Sequence, residues 1–145
     1  MKSEISWQTD ENGMLLGARA HDSTLVKFVA SEASLEFQMR RLSGDIVTVE
    51  LYDAREFNVV DLWNGAIVSE FWVWKVASVP KASWSVPDSA WNVLFSNRLS
   101  TPDAMREAAK IAVARPDAFL VQLACSYGGA VAAVCNRIGV FQIQQ

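Results

Sequence analysis

Apolar and polar residues alternate through most of the first half of the chain. Leu35, Phe37 and Met39 alternate with Glu36, Gln38 and Arg40, the two-residue period of a strand with one covered face. Val47, Val49 and Leu51 alternate with Thr48 and Glu50 in the same way. Residues 25–29 and 58–63 also read as strands. Before them, Asp10-Glu11-Asn12-Gly13 is a turn signal between apolar runs at 5–7 and 14–16. His21-Asp22-Ser23 and Leu42-Ser43-Gly44-Asp45 are further breaks. Trp63-Asn64-Gly65-Ala66 is the clearest hairpin signal, because Asn-Gly tolerates the positive φ angles of a type I′ turn. It predicts that residues 67–76 fold back on 58–63. Phe71, Trp72, Val73 and Trp74 put aromatics on both parities of the returning strand, so both of its faces are at least partly covered. The first half thus reads as an antiparallel meander of six or seven strands.

The rhythm changes after Ala77. Residues 78–90 hold Pro80, Pro87 and four serines, a connecting loop. Pro87-Asp88 opens a short helix with Trp91, Leu94, Phe95 and Leu99 on one stripe. Ser100-Thr101-Pro102-Asp103 starts a firmer one: a hydroxyl cap, Pro in the first turn and an acid beside the helix dipole. Met105, Ala108, Ala109, Ala112 and Val113 recur at helical spacing, and Arg115-Pro116 ends the helix. Residues 119–126, 130–135 and 140–144 read as closing strands. A two-residue turn at Gly128-Gly129 pairs Cys125 with Ala132 and sets Cys135 opposite Gln122, on the other face. The expected fold is α+β: one domain over 1–145, mainly antiparallel sheet as a meander or open barrel, with one or two helices inserted near residues 87–114.

Composition narrows the class. The chain has 145 residues, 51% hydrophobic and 20% charged, enough to bury a core and incompatible with disorder. A net charge of −3 argues against a general nucleic-acid binder. Charge is uneven: residues 1–74 carry 6 basic and 12 acidic side chains, residues 75–145 carry 7 and 4. No basic start leads into a long apolar run, so no secretory signal is expected. The uncharged run 118–136 approaches membrane-spanning length with 19 residues. Gln122, Ser126, Tyr127 and the Gly pair interrupt it, so a pair of buried strands is the better reading and no membrane association is expected. Cys125 and Cys135 read as reduced, buried thiols, which suits the cytoplasm.

Reactive side chains are sparse. His21 is the single histidine, and its neighbour Asp22 makes it a candidate general base. Adjacent residues of an extended chain point apart, however, which leaves Asp22 poorly placed to hold the ring. Cys125 lies in an apolar strand with no cation nearby in sequence, which raises a thiol pKa. One His and two Cys cannot form a zinc cage, and Gly128-Gly129 lacks the following Lys-Ser/Thr and helix of a phosphate loop. No cofactor or metal is expected. A binding role is favoured over an enzymatic one. Six tryptophans are available as core, pocket or interface groups, and Trp84, in the Pro-Ser loop, is either tucked under it or offered to a partner. Glu36 and Glu50 mark an acidic sheet face suited to a basic protein. The candidate binding residues are His21, Asp22, Glu36, Glu50, Trp84 and Tyr127.

The stretch Ala20-His21-Asp22-Ser23-Thr24-Leu25, the alternating strands after it, and Trp63-Asn64-Gly65-Ala66-Ile67-Val68 resemble a pattern in small bacterial domains grouped with the immunity proteins of polymorphic toxins. Ser126-Tyr127-Gly128-Gly129 has a similar flavour. The likeness covers residues 14–76. It implies a cytoplasmic protein-binding module and carries no catalytic residue with it. Two alternatives stand beside a basic protein partner: a β-rich domain holding a hydrophobic ligand in a Trp-lined pocket, and self-association as a homodimer through a Trp-rich sheet.

Overall fold

The computed structural model describes residues 2–78, 86–95 and 99–144. Among the described residues eleven strands and two helices form an α+β fold of open antiparallel sheets. The strands are β1 (Lys2–Ile5), β2 (Gln8–Thr9), β3 (Leu15–Leu16), β4 (Thr24–Ala30), β5 (Ser34–Arg40), β6 (Ile46–Tyr52), β7 (Glu56–Val60), β8 (Val68–Lys75), β9 (Phe119–Cys125), β10 (Ala130–Cys135) and β11 (Arg137–Ile143). The helices are α1 (Val86–Leu94) and α2 (Thr101–Ala114). One sheet has the order β1-β11-β6-β5-β4 and another the order β7-β10-β9-β8. The small β2-β3 ladder lies beside β8, where Met14 bridges Trp72.

Three layers follow from the alternation. Leu35, Phe37 and Met39 of β5, Val47, Val49 and Leu51 of β6, and Ile138 and Val140 of β11 point inward from the first sheet. They meet Val68, Phe71 and Val73 of β8, Val121 and Leu123 of β9, and Val131 and Ala133 of β10. The opposite face of the second sheet carries Trp74, Leu120, Ala132 and Val134, which α1 and α2 cover with Ala90, Trp91, Leu94 and Ala108. That is why β9 and β10 read as continuous apolar runs: both of their faces are covered.

Local signals set α2. Ser100 caps it by accepting from the Asp103 N–H at 3.3 Å, and Pro102 lies in its first turn. Its buried face is Ala104 and Ala108, with Ile111 and Ala112 half-buried. Small alanines let the helix lie close to the sheet. Met105 and Val113, which the helical spacing groups with these alanines, face outward instead.

The meander holds only for β4-β5-β6. Asn64-Gly65 does turn the chain: Gly65 has φ +82° and the Ala66 N–H donates to the Trp63 carbonyl. Yet β7 and β8 do not pair. They are the two edges of the second sheet, with β10 and β9 between them. Turn chemistry is local, whereas pairing went to the strands with the most apolar area to bury. The Gly-Gly turn also differs from expectation. Ala132 faces Gln122 and Cys135 faces Phe119, so the register is three residues away and the loop is longer. Consequently both cysteines point into the same core. They lie at opposite ends of their strands, roughly 20 Å apart along the sheet, and both are free.

Candidate site at the loop end of the sandwich

Three loops converge where β9 hands over to β10: residues 20–23, 61–67 and 126–129. Backbone hydrogen bonds fix them to one another. The Asp22 N–H donates to the Val68 carbonyl at 2.8 Å, the Leu25 N–H to Ala66 at 2.8 Å and the Ser126 N–H to Ile67 at 2.9 Å. The 61–67 loop crosses the sheet end over Gly129, whose φ is +88°. A Cβ there would stand 2.8 Å from the Asp61 carbonyl oxygen, so only glycine permits the crossing.

This surface exposes aromatic groups. Trp63 is 56% exposed, Ile67 39% and Tyr127 81%. Trp63, Ile67 and Tyr127, with Gly65, Ala66, Cys125 and Gly128, line a pocket of about 110 Å³. On its other side Trp63 borders an open groove of about 360 Å³ with Leu25, Phe28, Val59 and Leu62. Loop residues 20–23, 61–67 and 126–129 include Asp22 and Asp61 and no lysine or arginine. Asp61 also has a positive φ of +48°. The Asp61 carboxylate makes no hydrogen bond or ion pair with the described residues.

His21 and Asp22 belong to this end. Asp22 adopts φ +63°, and that turn swings its carboxylate to 3.5 Å from His21 Nε2. The expectation that neighbouring side chains diverge fails here because the backbone is left-handed rather than extended. His21 Nδ1 lies 2.6 Å from the Ser69 carbonyl oxygen, which can only accept, so Nδ1 carries the proton. The acid therefore sits on Nε2, the nitrogen that a general base would need free. Both side chains are exposed, 70% and 56%, so their pairing contributes little. His21 edges an apolar notch of about 190 Å³ with Met14, Leu15, Leu16 and Phe71, which contains neither cysteine. Among the described residues no group of three His, Cys, Asp or Glu side chains is placed to hold a metal ion.

Cys125, under Trp63 and Tyr127, is 8% exposed, and burial raises its pKa. Burial pushes Cys135 up to about 12, against the lowering effect of the nearby Arg115 charge. Neither thiol is poised for nucleophilic work.

Glu36 and Glu50 lie elsewhere, directly opposite each other on the outer face of the first sheet. Cations accompany both. Lys27 approaches Glu36 to 3.9 Å, and Lys2 donates to Glu50. Tyr52 also donates to Glu50. Burial works against ionisation of Glu50, but the hydrogen bonds from Lys2 and Tyr52 outweigh it and hold the carboxyl below its usual range. Lys2 rests over the Phe141 ring and Arg137 over the Tyr52 ring. The face is mixed in charge, and its acids are already engaged within the chain.

The structure pairs His21 with Asp22, puts Tyr127 on another loop of the same end where it lines a different pocket from His21, sets Glu36 and Glu50 apart as a separate pair, and leaves Trp84 outside the described residues. Sequence reasoning missed Trp63 and Asp61 as site residues, having read them as strand and hairpin positions. The available signal was a large aromatic next to Asn-Gly, where a turn holds it away from the core. Among the described residues no helix is long and apolar enough to cross a membrane. Comparison with family models, curated proteins and solved structures finds no match.

Proposed function

We propose that the chain is a non-enzymatic protein-binding module, of the cytoplasmic immunity-protein kind that its sequence resembles, and that it meets its partner through the loop end. The observation that carries this reading is the exposure of Trp63 and Tyr127, the two most exposed aromatics among the described residues, on one surface. Aromatic anchors of this type concentrate binding energy. The loops beneath are pinned by backbone hydrogen bonds, so association would order little that is loose. The three loops carry the exposed acids Asp22 and Asp61 and no lysine or arginine of their own, which favours a basic partner.

The test is affinity capture with the wild-type chain, a Trp63→Ser/Tyr127→Ser variant and a Glu36→Gln/Glu50→Gln variant. A partner held by the wild type and the sheet-face variant but lost from the loop variant supports the reading. A partner retained by the loop variant removes it. A second reading draws on the 360 Å³ groove, whose volume falls in the range of ligand pockets, roughly 300–1,000 Å³. An aliphatic or aromatic ligand panel that shifts the Trp63 fluorescence and leaves capture unaffected would favour it.

A further inference from the structure

Taking the chain as a protein-binding module, we infer that β4 accepts an extended segment of the partner as an added antiparallel strand, whose inward side chains fill the open groove beside Trp63. The inference rests on that reading and adds the form of the bound segment.

The backbone comes first. β4 is an edge of the first sheet, paired on one side with β5. Bonded and non-bonded residue pairs alternate along an antiparallel ladder. The Ser31 N–H donates to the Ser34 carbonyl at 2.9 Å, and the register carries that bonding to the pairs Val29–Glu36 and Lys27–Gln38. The N–H and carbonyl groups of Phe28 and Ala30 therefore point away from β5. The same outward row begins at Leu25, beyond the bulge, and there the chain fills it itself. The Leu25 N–H donates to the Ala66 carbonyl at 2.8 Å, and the Gly65 N–H donates to the Leu25 carbonyl at 3.0 Å. The row stops at that point: no described residue bonds to the outward groups of Phe28 or Ala30.

Side chains then select the occupant. Leu25 and Phe28 border a groove of about 360 Å³ whose other wall is Val59, Leu62 and Trp63. Val59 lies on β7, the edge of the second sheet, and is 36% exposed although it stands opposite the core residue Val131. The sandwich is thus open between its two edge strands. Lys27, which also borders the groove, belongs to the outer face of β4, opposite Gln38 and 3.9 Å from Glu36. A strand added to β4 sends every second side chain toward the apolar wall and the others to the outer face. The occupant that fits is an extended segment with apolar residues at alternate positions. A helix uses its backbone groups within itself, and a small apolar ligand leaves those of Phe28 and Ala30 unanswered. A second copy of this chain brings a β4 whose inner side chains are committed to its own core, with the Phe28 ring 5.2 Å from that of Phe37.

The experiment titrates the full chain with the capped peptide Val-Thr-Val-Thr-Val and with the same peptide N-methylated at its valines. The readout is the backbone amides of Phe28 and Ala30 in a ¹H–¹⁵N spectrum. In an antiparallel addition the inward valines are the residues whose N–H groups face β4. The unmethylated peptide should shift both amides in a saturable way and slow their exchange with solvent. The methylated one should bind about tenfold more weakly. Ala30→Pro removes an outward N–H and no bond to β5, so it should keep the tryptophan indole signals of the wild type and lose the peptide. Should that variant fail to fold, the methylated peptide decides alone. Equal binding of the two peptides overturns the inference and leaves the groove as a site for apolar ligands. Undiminished binding to folded Ala30→Pro, or no shift of the two amides, also overturns it. The same shifts on raising protein concentration without peptide, with a dimer in sedimentation, overturn it in favour of a second copy. The protein-binding reading fails separately, through capture that survives Trp63→Ser/Tyr127→Ser.

Discussion

The second sheet ends in two different ways. Where β10 runs into β11, polar groups lock onto one another. Arg115, which caps α2, donates to Glu56, to the Asp53 carbonyl at 3.2 Å and to Asn136 at 2.9 Å, and Asn136 donates back to Asp53. One guanidinium thereby joins the last turn of a helix, the start of an edge strand and the crossover between sheets. Where β9 runs into β10, backbone hydrogen bonds hold the loops, while Trp63, Tyr127 and Asp61 are exposed. The chain satisfies its polar groups at one end and leaves aromatic and acidic groups unspent at the other. The locked end does the work of assembly. The open end has side chains that assembly does not require.

Substitutions should expose that asymmetry, beginning with the backbone of the open end. Gly129→Ala forces a left-handed alanine against the Asp61 carbonyl, and we expect a loss of about 2–3 kcal/mol in urea unfolding. Gly128→Ala has a nearly identical φ of +87° and nothing within 4 Å, and should lose only about 1 kcal/mol. Equal losses would mean that the loop crossing is not as tight as described.

At the locked end, Arg115→Met removes three hydrogen bonds and should lower stability by about 2 kcal/mol. Trp63→Ser with Tyr127→Ser at the open end should change it by about 0.5 kcal/mol or less. Were the aromatic pair to matter more for folding than Arg115, the division between assembly and contact would collapse.

Thiol labelling compares the ends in a single molecule. Cys125 borders the open-end pocket at 8% exposure, whereas Cys135 is fully buried with its pKa pushed up to about 12. Native protein should react slowly at Cys125 and not at Cys135 until it unfolds. Labelling of Cys135 at the same rate would show that the locked end opens freely.

The smallest effect concerns Tyr52, beside the locked end, where the Asn136 N–H donates to its carbonyl. Burial, then the hydrogen bond to Glu50 and its charge, push its pKa from 10.0 up to about 12. A raised folded-state pKa means that the stabilisation is complete below pH 10 and is lost as pH rises through about 12. Glu50 works in the opposite sense: its lowered pKa gives stability above the ordinary carboxylate range that is lost as pH falls through the folded value. Phenolate absorbance should therefore show Tyr52 titrating late in the wild type and closer to 10 in Glu50→Gln.

Much of this architecture is legible in local pattern. The alternation of Leu35, Phe37 and Met39 with Glu36, Gln38 and Arg40 fixes which side of β5 is buried, and Ser100, Pro102 and Asp103 fix where α2 starts. The site was legible only in part. His21, Asp22 and Tyr127 flag turns, and turns gather at strand ends. Trp63 was hidden because a tryptophan beside a hairpin signal reads as strand, and the partners of β7 and β8 depend on strands more than forty residues later.

Sequence alone determined the element types and the scarcity of reactive groups, because periodicity, turn chemistry and composition are properties of a few neighbouring residues. Tertiary structure decided the strand order, the left-handed turn that sets Asp22 on His21, and the meeting of Trp63 with Tyr127 over Cys125. Those depend on which distant strands bury the most apolar surface together, a competition settled across the whole chain.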